Sequence, residues 1–104
     1  MLDMIIVSAT TTLKNPTARD GLIAASIAVT KEALATPGCS AFWLAVDANN
    51  PRVMYHYEEW ESLEVLDAHM SGELRSAFRD NIASHLQNVV TRTFEAEPIT
   101  DGDD

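Results

Sequence analysis

Tyr55 to Phe78 reads YHYEEWESLEVLDAHMSGELRSAF, and the order of features within it decides the fold. From Val53 to Trp60, aromatic, β-branched and polar residues are mixed over both parities, as a strand with two occupied faces requires. Met54, His56, Glu58 and Trp60 share one parity and point to one face, whereas the adjacent Glu58 and Glu59 point to opposite faces. The strand gives way at Glu61-Ser62. Ser62 is a suitable N-cap, since its hydroxyl accepts from an amide two or three residues on, and Glu64 suits the positive end of a helix dipole. Leu63, Leu66 and Met70 make one apolar stripe at spacings of three and four. Ser71-Gly72 breaks this helix and starts a second, in which Leu74, Phe78, Ile82 and Leu86 recur every four residues. Strand, short helix, break and longer helix form one packed βα unit.

Working outward, Asp3 to Leu13 reads as a first strand ended by Asn15-Pro16. Pro16 suits a first helical turn, and Thr17 with Asp20 resembles a capping box. Leu22, Ile23, Ser26, Ile27, Thr30, Ala33 and Leu34 share one broad face of a helix running to about Ala35. Ser26 and Thr30 on that face either line a pocket wall or bond back to the preceding turn. Pro37-Gly38 ends the helix. Cys39 to Ala48 is a second strand, the segment Asp47 to Pro51 a turn, and Arg52 to Trp60 the third strand of a hairpin. Val89 to Ala96 is the last strand. The order β-α-β-β-α-β, with the second helix split, predicts an α+β, ferredoxin-like fold: a four-stranded antiparallel sheet with helices on one face. Residues 1–98 form one domain and 99–104 a flexible acidic tail.

The second strand is apolar on both faces, with Phe42, Leu44 and Val46 on one side and Ala41, Trp43 and Ala45 on the other. Helices cover only one face of such a sheet, so pairing with an identical subunit is expected to cover the other.

The composition narrows the function. Seven basic and sixteen acidic residues give a net charge of −9, which argues against nucleic acid and anionic membrane surfaces. No apolar run approaches the length of a membrane helix, and no signal peptide is visible. Cys39 is the single cysteine and fits a reducing compartment, so a cytoplasmic location is expected. No metal-ligand spacing, glycine-rich phosphate loop or flavin motif is present.

Among residues able to carry chemistry, His69 falls three positions after Leu66, on or beside the apolar stripe. The plainest reading is a buried histidine bonded to a backbone carbonyl. His56, flanked on its face by Met54 and Trp60, either orients a substrate oxygen or lies on the sheet surface. Arg75 reads as part of a solvated helix face; Arg79 borders the stripe of the third helix. Cys39 reads as a small packed residue.

Pro37-Gly38-Cys39, Phe42, the run Tyr57 to Leu63 (YEEWESL), Leu66, Ala68-His69 and Phe78 together resemble the antibiotic biosynthesis monooxygenase family, over about residues 4–97. The resemblance implies a homodimeric α+β barrel closed through the sheet faces. It implies a pocket with His69 and His56 as candidate base, Arg79 as a donor at the rim, and Trp60, Phe42 and Phe78 as walls. Haem-degrading relatives carry an axial histidine where Arg79 stands, so haem is not expected, and no metal or other cofactor is implied. The implied activity is cofactor-independent oxidation of an electron-rich aromatic (a phenol, quinol or polyketide anthrone) by dioxygen. One alternative is isomerisation or cyclisation of a small keto compound in the same pocket; another is a non-catalytic ligand-binding or stress-response barrel.

Overall fold

The structure, a computed structural model, describes residues 4–99. Its elements are β1 (Met4–Leu13), α1 (Arg19–Ala35), β2 (Cys39–Val46), β3 (Val53–Trp60), α2 (Leu63–Met70), α3 (Glu73–Ile82) and β4 (Leu86–Ala96), with 3₁₀ turns at Pro16–Ala18 and Ala83–His85. All pairings are antiparallel, in the sheet order β2-β3-β1-β4. This is the ferredoxin-like α+β arrangement expected from the order of elements, with the second helix split at Ser71-Gly72. The acidic stretch 100–104 lies outside the described residues.

The stretch from Trp60 to Gly72 has the helix start and the break expected of it, but the Leu63 end of its apolar stripe does not pack. Ser62 accepts from the Val65 amide at 3.2 Å and caps α2, with Glu64 in its first turn. Leu66 is buried against the sheet, while Leu63 remains exposed. Gly38, at φ 98°, makes the turn into β2, and the Glu61 amide donates to its carbonyl at 2.7 Å. That left-handed conformation suits glycine, whose lack of a Cβ removes the steric penalty.

Four local expectations are corrected. Asn15, not Thr17, caps the helical entry: its side chain accepts from the Thr17 amide at 3.0 Å, and the first turn is 3₁₀. Leu86 belongs to β4 and pairs with Leu13, because the turn at Ala83–His85 ends the helical repeat one turn early. β2 ends at Val46, where Asp47 turns inward on the loop and accepts from the amides of Asn49 and Asn50. The apolar face of α1 is narrower than the sequence suggests. Leu22, Val29 and Ala33 are buried, but Ile27 is 58% and Leu34 53% exposed. The exposed residues lie about 100° further round the helix, beyond the stripe one sheet can reach.

The core fills two clusters between helices and sheet. One contains Ile5, Val7, Val29, Ala33, Phe42, Trp60 and Leu66; the other contains Leu13, Leu22 and Met54. Between them lies a cavity. Across the sheet, Trp43 stacks on Tyr57 with ring centroids 5.2 Å apart, and Trp43, Val90 and Phe94 are each close to half exposed. Among the described residues nothing covers this face.

Candidate active site

The cavity, about 310 Å³, lies between the inner sheet face and the helices. Its floor is set by strand register. Leu44, His56, Ala9 and Thr91 form one rung across β2, β3, β1 and β4, and Phe42, Glu58, Val7 and Thr93 form the next. Leu22, Ser26, Val29 and Thr30 of α1 wall one side; Met70, Arg75, Phe78 and Arg79, from α2 and α3, wall another. The lining is mostly apolar with a few polar groups, the usual make-up of a small-molecule site.

Within the second of these rungs sits Glu58, with a fully buried side chain. Its Oε1 accepts from Trp60 Nε1 at 2.7 Å; its Oε2 accepts from Arg75 Nη2 at 2.9 Å and from His56 Nε2. Burial pushes the Glu58 carboxyl pKa up, but the His56 bond and the Arg75 charge outweigh burial and hold it at about 2. A carboxylate is acceptor-only, so the His56 proton toward Glu58 sits on Nε2. Nδ1 of His56 has no protein partner, whereas every buried side-chain nitrogen and oxygen among the described residues has one; Nδ1 is therefore not buried, and His56 lines the cavity.

Arg75 also donates through Nη1 to His69 Nε2 at 2.9 Å. That nitrogen must carry a lone pair, so His69 is neutral with its proton on Nδ1. Burial first, and the Arg75 charge second, push its pKa down. His69 packs on Trp60 with ring centroids 4.8 Å apart and on Phe42 at 5.5 Å. Its remaining exposure is toward a shallow depression beside Glu32, Pro37 and Gly72, away from the cavity.

The profile of the family described as antibiotic biosynthesis monooxygenase matches residues 4–81. The chain belongs to that family. A crystal structure described as an antibiotic biosynthesis monooxygenase is 25% identical and superposes with a TM-score of 0.80, covering 90% of this chain and 99% of its own. A Pseudomonas aeruginosa protein is 23% identical, with a TM-score of 0.82 and coverage of 94% and 98%. A Bacteroides thetaiotaomicron protein of unknown function is 24% identical, with a TM-score of 0.81 and coverage of 91% and 99%. These likenesses at 23% and 24% speak to the fold alone. No curated protein matches the chain.

Set against the residues that the family resemblance singled out, the geometry divides them. His56, Arg79, Phe42 and Phe78 line the cavity together. Trp60 and His69 do not; they stand behind it, joined to it through Glu58 and Arg75. Arg75 corrects its reading as a solvated residue: its side chain is only 12% exposed, because the bend at Gly72 turns that face of α3 back onto β3. Arg79 donates to the Met70 carbonyl at 3.2 Å and to Ser76 Oγ at 3.3 Å, long bonds that leave other guanidinium donors available. Glu58, Thr11, Thr91, Thr93 and Asp67 were missed. Strand parity put Glu58 on the His56 face, and that was the signal for it; nothing in the spacing of the threonines marked them. Cys39 is half-buried with its thiol pKa pushed up by burial, consistent with packing. Ser26 does both things open to it, donating to the Ile23 carbonyl at 2.7 Å while lining the cavity. Among the described residues no cluster of metal-ligating side chains occurs, and no helix is long and apolar enough to cross a membrane.

Proposed function

We propose that this chain is a cofactor-independent monooxygenase that oxidises an electron-rich hydroxyaromatic, of phenol, quinol or anthrone type, with dioxygen. The observation that carries this reading is the open Nδ1 of His56 in a largely apolar cavity, its opposite nitrogen held by an ionised buried carboxylate. A carboxylate-oriented imidazole presents its lone pair as a general base. His56 takes the ring hydroxyl proton, and Arg79 holds the resulting anion by charge-assisted hydrogen bonds. The anion passes one electron to dioxygen, and the radical pair joins at a ring carbon to give a peroxide that takes the proton back from His56. His56 then removes the proton from that carbon. The freed electron pair forms a carbonyl as the O–O bond breaks, and the departing hydroxide collects the proton and leaves as water. Phe42 and Phe78 wall the ring and keep the site dry.

The chain works as a homodimer in this reading, with a second copy covering the face that carries Trp43, Tyr55, Val90 and Phe94. Support comes from the large apolar and aromatic side chains left exposed together on that face, Trp43, Tyr55, Val90 and Phe94.

The test is oxygen uptake with a panel of hydroquinones, naphthols and anthrones, in the wild type and in His56→Gln. Uptake matched by quinone formation, reduced about 10²–10⁴-fold in the variant, is expected. No uptake with any member, turnover undiminished without oxygen, or an unaffected variant refutes the proposal; anaerobic turnover would indicate proton-shuttling isomerisation instead.

A further inference from the structure

The buried ion pair connects two openings of the molecule. On one side His56 lines the cavity; on the other His69 lines the shallow depression that it shares with Glu32 of α1, Pro37, and Glu64 and Ala68 of α2. Arg75 and Glu58 stand between them. Arg75 Nη1 donates to His69 Nε2 and Nη2 to Glu58 Oε2, both at 2.9 Å, and Oε2 also accepts from His56 Nε2. Nδ1 of His69 has no partner among the described residues, in which every buried side-chain nitrogen has one. It is therefore not buried, and the ring meets solvent through the depression.

This arrangement gives His69 two states that exclude each other. In the neutral ring Nε2 keeps a lone pair and receives Arg75. In the charged ring both nitrogens carry protons, and a donor then meets a donor. Arginine does not give up its proton, so the guanidinium must leave. The surrounding charges are of both signs. Arg75 of α3 and a charged His56 of β3 oppose a proton on His69; Glu58 of β3 and Glu32 of α1 favour one. Glu64 of α2 borders the same depression, and β2 presents the Phe42 ring. Burial and the Arg75 charge prevail and push the His69 pKa below its ordinary 6.5, so the charged state is reached in acid.

Arg75 lines the cavity as well, so a displaced guanidinium has that space beside it. We propose that His69 is a positioning residue that acts on the cavity through Arg75: its neutral ring holds the guanidinium on Glu58, and a proton taken up from the depression turns Arg75 toward the ligand space. There Arg75 takes up ligand room and brings a positive charge toward the base. The inference concerns regulation of the same site and rests on reading the cavity as the ligand site with His56 as its base; it needs no step of the oxidation.

Nuclear magnetic resonance of the full chain, without ligand or oxygen, tests this apart from turnover. Ring nitrogen shifts follow the protonation of each histidine, and the Nε–H signal of Arg75 follows the guanidinium. The Met54 methyl, on β3 in the cavity lining, reports the cavity. The Arg75 and Met54 signals are expected to shift as pH falls, at the midpoint where His69 takes up its proton. His69→Gln, whose amide oxygen accepts from Arg75 but takes no proton, should remove that step and leave the neutral-pH signals in place. His69→Leu offers no acceptor and should show the acid-state Arg75 signal at neutral pH. An Arg75 or Met54 signal that does not move with His69, a step that survives in His69→Gln, or a His69 that stays neutral until the chain unfolds in acid overturns the proposal. Should His69→Leu not fold, the wild type and His69→Gln decide. Oxygen uptake without the acid step refutes the role of His69 only; the acid step without uptake refutes the oxygenase reading only.

Discussion

Arg75→Met tests the buried network beneath the cavity most directly. Methionine keeps much of the apolar stem but removes the guanidinium, and with it the 2.9 Å bonds to Glu58 and to His69. It also removes the cation lying 5.5 Å from the Phe42 ring centroid. Glu58 has no exposure through which water could replace the lost donor. Breaking a buried ion pair by removing one partner costs about 3–5 kcal/mol, since the other charge is left without its counterpart. A substitution on a solvated helix face changes stability by only about 0.5 kcal/mol. Urea unfolding at neutral pH, at matched protein concentration, separates these values; a loss below about 1 kcal/mol would mean that Arg75 is in water and the network is wrong.

The same variant has a signature in pH. Glu58 is held at about 2, below its ordinary value of 4.5, so its contribution to stability is complete above pH 4.5 and is lost as pH falls toward 2. Without Arg75, burial still raises the pKa while one of the opposing influences is gone. The folded-state pKa therefore rises, and acid unfolding should begin at a higher pH than in the wild type. Adding Glu58→Gln to Arg75→Met should cost less than the sum of the two single changes, because both remove the same bond. An unchanged acid midpoint in Arg75→Met would count against the pairing even if stability fell.

Gly38→Ala should lower stability by about 1–2 kcal/mol, because alanine is strained at φ 98° and its Cβ would lie 2.9 Å from Glu61 Cγ and Cδ. Thermal unfolding reads this as a fall of several degrees, and an unchanged Tm would refute the strain argument. Sedimentation at low micromolar concentration should give about twice the 11.4 kDa chain mass, and Trp43→Glu should give the monomer. Salt should tighten the pair, since each chain carries a charge of −9; a stable wild-type monomer would refute the pairing.

How far the sequence reached depended on the range of the physics involved. Strand parity is local, and it correctly set His56, Glu58 and Trp60 on one face and Glu59 on the other, where Glu59 accepts from Ser40 at 3.1 Å. Capping is local too, and Ser62 was legible for that reason. The rotation of α1 was not legible, because Ile23, Ile27 and Leu34 satisfy the helical repeat as well as the buried residues do; only the sheet beneath decides which stripe is used. Arg75 was misread for a similar reason. It lies seventeen residues from Glu58, and their pairing depends on the angle at which Gly72 returns α3 to β3. Thr91 and Thr93 come to line the cavity through a register across three strands, which no single segment contains.

The two histidines could not be told apart by sequence, and the structure distinguishes them by what each one's Nε2 does. At His69, Nε2 accepts from Arg75; its lone pair is occupied, and adding a proton would set an imidazolium against a guanidinium. At His56, Nε2 keeps its proton and donates it in a hydrogen bond to the Glu58 carboxylate, so the lone pair of the neutral ring is on Nδ1, which has no protein partner. Glu58 and Arg75 are bonded to each other, so one ion pair sets both orientations at once. The family feature that draws attention to His69 therefore marks a residue that anchors Arg75 and packs on Trp60. If the proposed chemistry holds, the base is therefore His56 on β3, which lines the cavity, and not His69 on α2, which does not.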